Sequence, residues 1–254
     1  MNITGHSAIV TGGGSGLGEA VARELARLGA KVTVLDVNTT GAQRVAAEIG
    51  GLACTADITD TASLTAALDA AGAAHGTARI VMNIAGIGSA RRVVGKDGSP
   101  APMEDFERVV RVNLLGTYNV VRLTAARIAR LAPLEGGERG VMVMTASVAA
   151  FDGQVGQEAY SASKGGIVGM TLPLARDLAQ HGVRVCTIAP GLFETPLLKG
   201  LPEAVQQSLA ASIPFPPRLG RPQEFAELAA HIVSNGHLNG EVIRLDGALR
   251  MAPR

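Results

Sequence analysis

The feature that most constrains the fold is a repeated alternation between short apolar runs and helical patterns. Most of the runs are apolar throughout, which is typical of strands buried on both faces of a parallel sheet. Strands and helices in this order indicate right-handed βαβ units in a doubly wound sheet. The predicted strands are residues 7–11, 31–36, 52–56, 79–83, 140–145, 183–189 and 241–245. The predicted helices include residues 16–28, 61–74, 103–130, 159–180 and 223–235.

No repeat, low-complexity tract or linker divides the 254 residues. We therefore expect one α/β domain over residues 1–254, with helices on both faces of a mainly seven-stranded parallel sheet and ligands at the carboxyl ends of the strands. The Gly, Ser, Pro and charged residues of 86–102 predict a loop or a short hairpin. Residues 191–220 contain five prolines around one short helix and follow a strand end. That position favours a substrate loop over an ordinary surface excursion.

Charge and composition exclude several classes of protein. The net charge is +1 with both signs interleaved, so we expect neither nucleic acid nor a membrane as a partner. Cys54 and Cys186 stand in apolar runs, which predicts two buried thiols and no disulfide framework. The five histidines lack ligand spacing, so no metal is expected. No stretch has the features of a signal peptide, a leader or a membrane span, and the sequence predicts a cytoplasmic protein.

A glycine cluster follows the first predicted strand and opens the first predicted helix. Glycines let the backbone turn sharply and approach a pyrophosphate, and the N–H groups at the helix start favour the anion. The cluster alone could be a simple turn, but its strand–loop–helix context is the one that a dinucleotide-binding loop requires. The candidate cofactor contacts in this loop are Gly12, Ser15, Gly16, Leu17 and Gly18.

Asp36 ends the second predicted strand, 18 residues after Gly18. A carboxylate at this point can accept hydrogen bonds from both hydroxyls of a ribose and would repel a 2′-phosphate. The alternative is an aspartate that caps a helix or closes a turn. Since no Arg or Lys follows directly, the sequence predicts NAD(H) as the cofactor instead of NADP(H).

Two further strand ends carry candidate cofactor residues. Asp57 and Ile58 follow the third predicted strand, where the carboxylate could accept from an adenine amino group or cap the next helix. Asn83, Ala85 and Gly86 end the fourth strand, where small residues would let a cofactor ribose pass close to the backbone.

Two scarce residue types point to the reaction chemistry. The chain has two tyrosines and four lysines, and Tyr160 and Lys164 stand four residues apart on one face of a predicted helix. A phenol titrates near ~10, too high for a base at neutral pH, but a nearby ammonium favours the phenolate. With Ser147 just past the fifth predicted strand, the pair suits proton transfer in an alcohol–ketone couple. The alternative is an ordinary surface helix, which the scarcity of both residue types disfavours.

In combination and in this order, these residues resemble the short-chain dehydrogenase/reductase family over essentially the whole chain. The shared motifs are Thr-Gly-x3-Gly-x-Gly at 11–18, Asn-x-Ala-Gly at 83–86, Asn113, Ser147, Tyr-x3-Lys at 160–164 and Pro190-Gly191. Ile84 departs from the pattern, because the family usually has a second Asn there. Residues 145–173, 188–198 and 239–248 further resemble the type II 3-hydroxyacyl-CoA dehydrogenases of that family, whereas 91–102 and 131–139 match them less well.

The resemblance implies a Rossmann-type fold and a role for each matching residue. Tyr160 would be the acid/base, Lys164 would lower its pKa and bind the nicotinamide ribose, Ser147 would orient the substrate oxygen, and Asn113 would hold a water of a proton relay. Gln154 is either a substrate contact or a polar loop residue. The residues implied for the nicotinamide side are Pro190, Gly191, Leu192 and Thr195.

The resemblance also implies an activity: NAD-dependent hydride transfer between (S)-3-hydroxyacyl-CoA and 3-oxoacyl-CoA, in fatty acid metabolism. Three alternatives remain open: a 3-oxoacyl-CoA or acyl-carrier-protein reductase, a hydroxysteroid dehydrogenase, and a scaffold that binds NAD without catalysis. The intact catalytic set disfavours the scaffold. A homotetramer is implied, with a dimer as the alternative.

Overall fold

The computed structural model describes residues 1–200 and 202–253. Its seven parallel strands lie in the order β3-β2-β1-β4-β5-β6-β7. They are β1 Ser7–Thr11, β2 Lys31–Asp36, β3 Leu52–Thr55, β4 Ile80–Asn83, β5 Gly140–Thr145, β6 Val183–Pro190 and β7 Val242–Leu245. All seven predicted strands are present, and their bounds differ from the prediction by at most one residue. The order reverses between β1 and β4, so a cleft opens at their carboxyl ends.

Helices cover both faces of the sheet. They are α1 Gly16–Arg27, α2 Thr39–Ile49, α3 Thr61–His75, α4 Met103–Val110, α5 Thr117–Ile128, α6 Glu158–Ala179, α7 Pro196–Lys199, α8 Glu203–Ala211 and α9 Pro222–Ser234. The helix predicted over 103–130 consists of α4, a π-helical turn at Arg111–Gly116 and α5.

The structure corrects the prediction for residues 191–220, which contain two helices instead of one. Pro196 occupies the first turn of α7, and Pro202 directly precedes α8. A proline at a helix start loses no internal hydrogen bond, so these two prolines mark where the helices begin. Residues 86–102 contain a short hairpin, in which Val94 bridges Pro100 in antiparallel pairing.

Aliphatic side chains fill one core on each face of the sheet. In β1, Ala8 and Val10 belong to the core with α1 and α9, while Ile9 belongs to the core with α3, α5 and α6. Successive strand residues point to opposite faces, so both cores need the uniformly apolar strands seen in the sequence. Cys54 and Cys186 are buried thiols, as predicted. Within residues 1–200 and 202–253, no helix is long and apolar enough to cross a membrane.

Val21→Ala should lower the free energy of unfolding by about 2 kcal/mol, because it leaves a cavity where α1 packs on the sheet. Val205→Ala in α8 is the matched control, since that side chain is 42% exposed and the change in helix propensity is the same. Urea unfolding at one protein concentration compares the two. Equal losses would contradict this account of the core.

Candidate active site

The loop between β1 and α1 has no room for side chains at two of its glycines. A Cβ on Gly12 would lie 2.8 Å from the backbone of Ala85, and one on Gly18 would lie 2.0 Å from the carbonyl oxygen of Gly12. Gly12 also has a φ of +66°, which favours glycine. The loop therefore packs tightly against the end of β4, and α1 begins at Gly16 with its N-terminus at the cleft.

Asp36 lies at the carboxyl end of β2, beside the glycine loop. Its Oδ2 accepts a hydrogen bond from the backbone N–H of Gly14 at 2.9 Å, and its Oδ1 accepts one from Asn38 at 2.9 Å. The carboxylate thus closes a turn, as one alternative proposed, and it also holds the loop that the sequence assigns to phosphate binding. Asn38, and not Asp36, caps α2.

The two residues predicted for the adenine side differ in exposure. Asp57 is exposed, and its carboxylate accepts a hydrogen bond from Thr59 N–H at 2.8 Å within a turn. The cap of α3 is Asp60, so the capping alternative for Asp57 is wrong. Ile58 is buried, and its carbonyl oxygen accepts from the Asn119 amide at 2.8 Å.

Asn83 ends β4 with a buried side chain whose nitrogen and oxygen both lack a hydrogen-bond partner within the described chain. A buried amide without partners is costly, so this position suits a polar ligand that enters the cleft. Thr11 holds the neighbouring backbone, because its Oγ1 accepts from Ile84 N–H at 3.1 Å and from Ala85 N–H at 3.2 Å. Thr11 opens the glycine motif, but the motif alone does not indicate this role.

Ser147, Tyr160 and Lys164 lie close together past the end of β5. Ser147 Oγ accepts from Ala149 N–H at 3.1 Å. Lys164 is buried, and its Nζ donates to the carbonyl oxygen of Thr145 at 2.8 Å and lies 5.7 Å from the centroid of the Tyr160 ring. The structure thus brings together the three residues that the sequence singled out.

The pKa values in this cluster are set mainly by burial. Burial raises the pKa of Tyr160, and a hydrogen bond with Ser147 opposes that rise. The lowering of this pKa by Lys164 stays a prediction. Burial also lowers the pKa of Lys164 to about 8, because its ammonium is removed from water.

Asn113 lies within the π-helical turn, a distortion that is frequent at functional sites. Its Nδ2 donates to the Ile87 carbonyl at 2.9 Å and to Ser163 Oγ at 3.1 Å, and its Oδ1 accepts from Ile87 N–H at 2.8 Å. The side chain therefore joins the loop after β4 to α6. A Cβ on Gly86 would lie 3.1 Å from Asn113 Oδ1 and 3.5 Å from Lys164 Nζ, so Gly86 borders the same site.

The segment after β6 closes the cleft opposite the glycine loop. Pro190 ends β6, and Gly191 N–H donates to the Leu245 carbonyl at 2.9 Å. A Cβ on Gly16 would lie 3.9 Å from the side chain of Thr195, which places Thr195 across from the loop. Leu192 accepts a backbone hydrogen bond from Gly220 at 2.8 Å, so residues 191–220 begin and end at this strand.

Gln154 contacts the segment around Ala252, which no motif in the sequence predicts. Its Nε2 donates to the carbonyl oxygen of Ala252 at 2.9 Å, and the next residue, Val155, donates its N–H to Pro253 at 3.1 Å. The segment before α6 therefore lies along the last described residues. In the described ranges, no group of three His, Cys, Asp or Glu side chains could hold a metal ion.

Known proteins resemble the chain over its whole length. The short chain dehydrogenase family model matches residues 6–206. The chain is 52% identical over 255 residues to 3-hydroxyacyl-CoA dehydrogenase type-2 from Homo sapiens, which covers 99% of this chain and 98% of that protein.

Two solved structures share the fold. The 3-hydroxyacyl-CoA dehydrogenase type-2 from Mycobacterium avium has a TM-score of 0.95 at 44% identity, and 100% of both chains is covered. The 3-ketoacyl-(acyl-carrier-protein) reductase from Brucella melitensis, complexed with NADH, has a TM-score of 0.87 at 35% identity, with 98% of this chain and 100% of that chain covered. The chain is an oxidoreductase that uses a nicotinamide cofactor, and it belongs to the short-chain dehydrogenase family.

Proposed function

We propose that the protein is an NAD-dependent dehydrogenase that interconverts (S)-3-hydroxyacyl-CoA and 3-oxoacyl-CoA. The observation that carries the proposal is the partly buried Tyr160, which lies next to Lys164 at the edge of a glycine-lined cleft with Ser147 beside it. The relatives named 3-hydroxyacyl-CoA dehydrogenase type-2 support the substrate class. The reductase from Brucella melitensis supports a second candidate, the same couple run toward the alcohol, with lower identity.

The residues of the cleft fit the cofactor. The loop carrying Gly12, Ser15, Gly16, Leu17 and Gly18 would bind the pyrophosphate at the start of α1. The unpartnered amide of Asn83 would gain partners from the ligand. The remaining proposed contacts are Asp36 for the ribose, Asp57 and Ile58 for the adenine, Ala85 and Gly86 for the second ribose, and Pro190, Gly191, Leu192 and Thr195 for the nicotinamide.

The charges near Asp36 favour NAD over NADP. The Asp36 carboxylate would repel a 2′-phosphate. Arg44 is a cation near the loop, and its Nη2 donates to the Gly14 carbonyl at 3.2 Å. Its guanidinium is already paired with Glu19 at 2.6 Å, so its charge is largely neutralised.

The proposed reaction uses Tyr160 as the acid/base. Ser147 Oγ and the Tyr160 phenol would hold the substrate oxygen, and the phenolate would take the hydroxyl proton as the carbonyl forms. NAD, when bound, supplies the hydride acceptor at its nicotinamide ring. The Lys164 ammonium would stabilise the phenolate and hold the ribose. Asn113 would anchor a water through which the proton leaves.

Four further points stay predictions: residues 191–220 as a substrate loop, Gln154 as a substrate contact, a homotetramer, and a cytoplasmic location. Packing supports the substrate loop, since Ile213 and Leu219 of this segment form a small core with Leu249. Among the described residues of this segment, only Phe193 at its start belongs to a main core, so the rest of the segment can move without opening either main core.

Tyr160→Phe should lower kcat by about 10³-fold, because it removes the group that exchanges the proton. NADH binding should be unchanged. Acetoacetyl-CoA reduction followed by NADH absorbance measures turnover, and NADH fluorescence measures binding. Tyr118→Phe is the matched control, since Tyr118 is 48% exposed on α5 and should leave kcat unchanged. Substantial activity in Tyr160→Phe would sink the assignment.

Asp36→Asn should raise kcat/KM for NADP relative to NAD by about 10–100-fold, which is the range expected for one charge-assisted hydrogen bond. Asn keeps the shape of the side chain and an acceptor for the loop. Asp36→Ala should shift the preference in the same direction but also weaken NAD binding, because Gly14 N–H loses its partner. If Asp36→Asn still excludes NADP, the ribose role is wrong.

Lys164→Met should change how stability depends on pH. Since the pKa of Lys164 is lowered to about 8, the folded protein loses this proton before the unfolded chain does, and wild-type stability rises between about pH 8 and pH 10. Without the ammonium this rise is absent. The stability of Lys164→Met relative to wild type should therefore fall by about 2 kcal/mol over that window. Urea unfolding without cofactor tests this, and a constant difference would contradict it.

A further inference from the structure

One guanidinium behind the candidate active site joins three segments of the chain. Arg244 in β7 forms ion pairs with Asp152 at 2.6 Å and with Asp246 at 2.6 Å. Its Nη2 also donates to the carbonyl oxygen of Leu249 at 2.9 Å, and its guanidinium lies 5.2 Å from the centroid of the Phe151 ring. The Arg244 side chain is only 20% exposed, so these interactions are shielded from solvent more than ordinary surface pairs.

The first of the three segments connects the two residues that would hold the substrate oxygen. Asp152 stands between Ser147 and Tyr160, in the stretch that leads from β5 to α6. Next to Asp152, a Cβ on Gly153 would lie 2.4 Å from Ser161 Oγ, so the loop is pressed against the first turn of α6. A shift of Asp152 would therefore be transmitted to the turn that carries Tyr160.

The second segment borders the predicted nicotinamide side. Asp246 follows β7, and a Cβ on Gly191 would lie 2.9 Å from its Cα and Cβ. The Asp246 carboxylate also accepts from Ala248 N–H at 3.0 Å and from Arg250 at 3.2 Å. Arg244 therefore anchors the turn on which Gly191 rests.

The third segment is the tail, residues 249–253. It begins at the buried Leu249, whose carbonyl oxygen Arg244 holds, and continues along the loop to the contacts with Gln154 and Val155. The loop between Ser147 and Tyr160 is thus held at Asp152 by β7 and at Gln154 by the tail.

The chemistry of arginine suits this position. Its planar fork presents several donors in fixed directions, so it can pair with two carboxylates and a carbonyl at once. A lysine ammonium offers one point charge and cannot reproduce that geometry. The Arg244 hydrogen bond holds the pKa of Asp152 below its usual range, so the pair stays charged at neutral pH.

We infer that Arg244 is a positioning residue for the reaction. Through Asp152 it fixes the distance between Ser147 and Tyr160, and through Asp246 it fixes the backbone at Gly191. The inference rests on the proposed function for the roles of Ser147 and Tyr160.

Steady-state kinetics of Arg244→Gln, Arg244→Lys and Asp152→Asn test the inference. With acetoacetyl-CoA and NADH, kcat should fall about 100-fold in Arg244→Gln, the loss that misplaced reacting groups can cause. Asp152→Asn keeps the shape of the side chain. It should lower kcat roughly 10-fold and leave the affinity for NADH unchanged. Arg244→Lys should recover part of the loss. The double variant Arg244→Gln/Asp152→Asn should be no worse than Arg244→Gln, because both changes break the same link.

Arg184→Gln is the matched control, because Arg184 is also an arginine in a strand with little exposure to solvent. It pairs with Glu138 at 2.8 Å and donates to the carbonyl oxygens of Ile232, Val233 and Leu238, at the amino end of β6. Arg184→Gln should lower Tm and leave kcat unchanged. If Arg244→Gln and Asp152→Asn also lower only Tm, Arg244 is merely structural and the inference is overturned. If Arg244→Gln fails to fold, the kcat of Asp152→Asn decides whether the inference holds.

A second measurement needs no substrate. In a Tyr118→Phe background Tyr160 is the only tyrosine, since the chain has two. Carbon-13 labelling at Cζ then gives one NMR resonance that reports hydrogen bonding of the Tyr160 phenol at neutral pH. Asp152→Asn should shift this resonance, and Arg184→Gln should not. If the wild type fails to turn over acetoacetyl-CoA, the proposed function fails but the resonance still tests the link. An unchanged resonance in Asp152→Asn would overturn the inference.

Discussion

The buried ammonium of Lys164 is the interaction on which the candidate site depends. It joins α6 to the end of β5 through the carbonyl oxygen of Thr145, and it lies beside the phenol of Tyr160. Burial lowers its pKa to about 8, so the fold keeps a charge where the charge is costly. A fold that only needed to join β5 to α6 could do so with an apolar side chain. The cost is understandable if the charge serves the chemistry of the neighbouring phenol.

The fold could be predicted from the sequence because the strands are buried on both faces. Every residue of β1 and β5 is buried, and the predicted bounds of both strands match the structure. Helix α2 is not among the helices named from the sequence, although its buried residues recur at helical spacing: Gly41, Ala42, Val45 and Ala46. The π-helical turn was missed because one wider turn within a long helix hardly changes the pattern of apolar residues.

The site residues that could be predicted from the sequence are polar side chains at the carboxyl ends of strands. Asp36 and Asn83 end strands and Ser147 follows one, and parallel strands bring their carboxyl ends to one edge. The sequence could not show the contact of Gln154 with Ala252, because residues 98 apart meet only through the final packing. Nor could it show that burial and Ser147 shift the pKa of Tyr160, since burial is a property of the whole fold.

Two arginines in neighbouring strands show how position in the sheet separates structure from function. Arg184 and Arg244 each pair with a carboxylate and with backbone carbonyl oxygens, so their local chemistry is nearly the same. Arg184 lies at the amino end of β6, where its partners are Glu138 and the end of α9. Arg244 lies near the carboxyl end of β7, where it holds the segments that carry Ser147, Tyr160 and Gly191. In a parallel sheet the ligand site is confined to the carboxyl edge, so the same side chain that only stabilises the fold at one end can align reacting groups at the other.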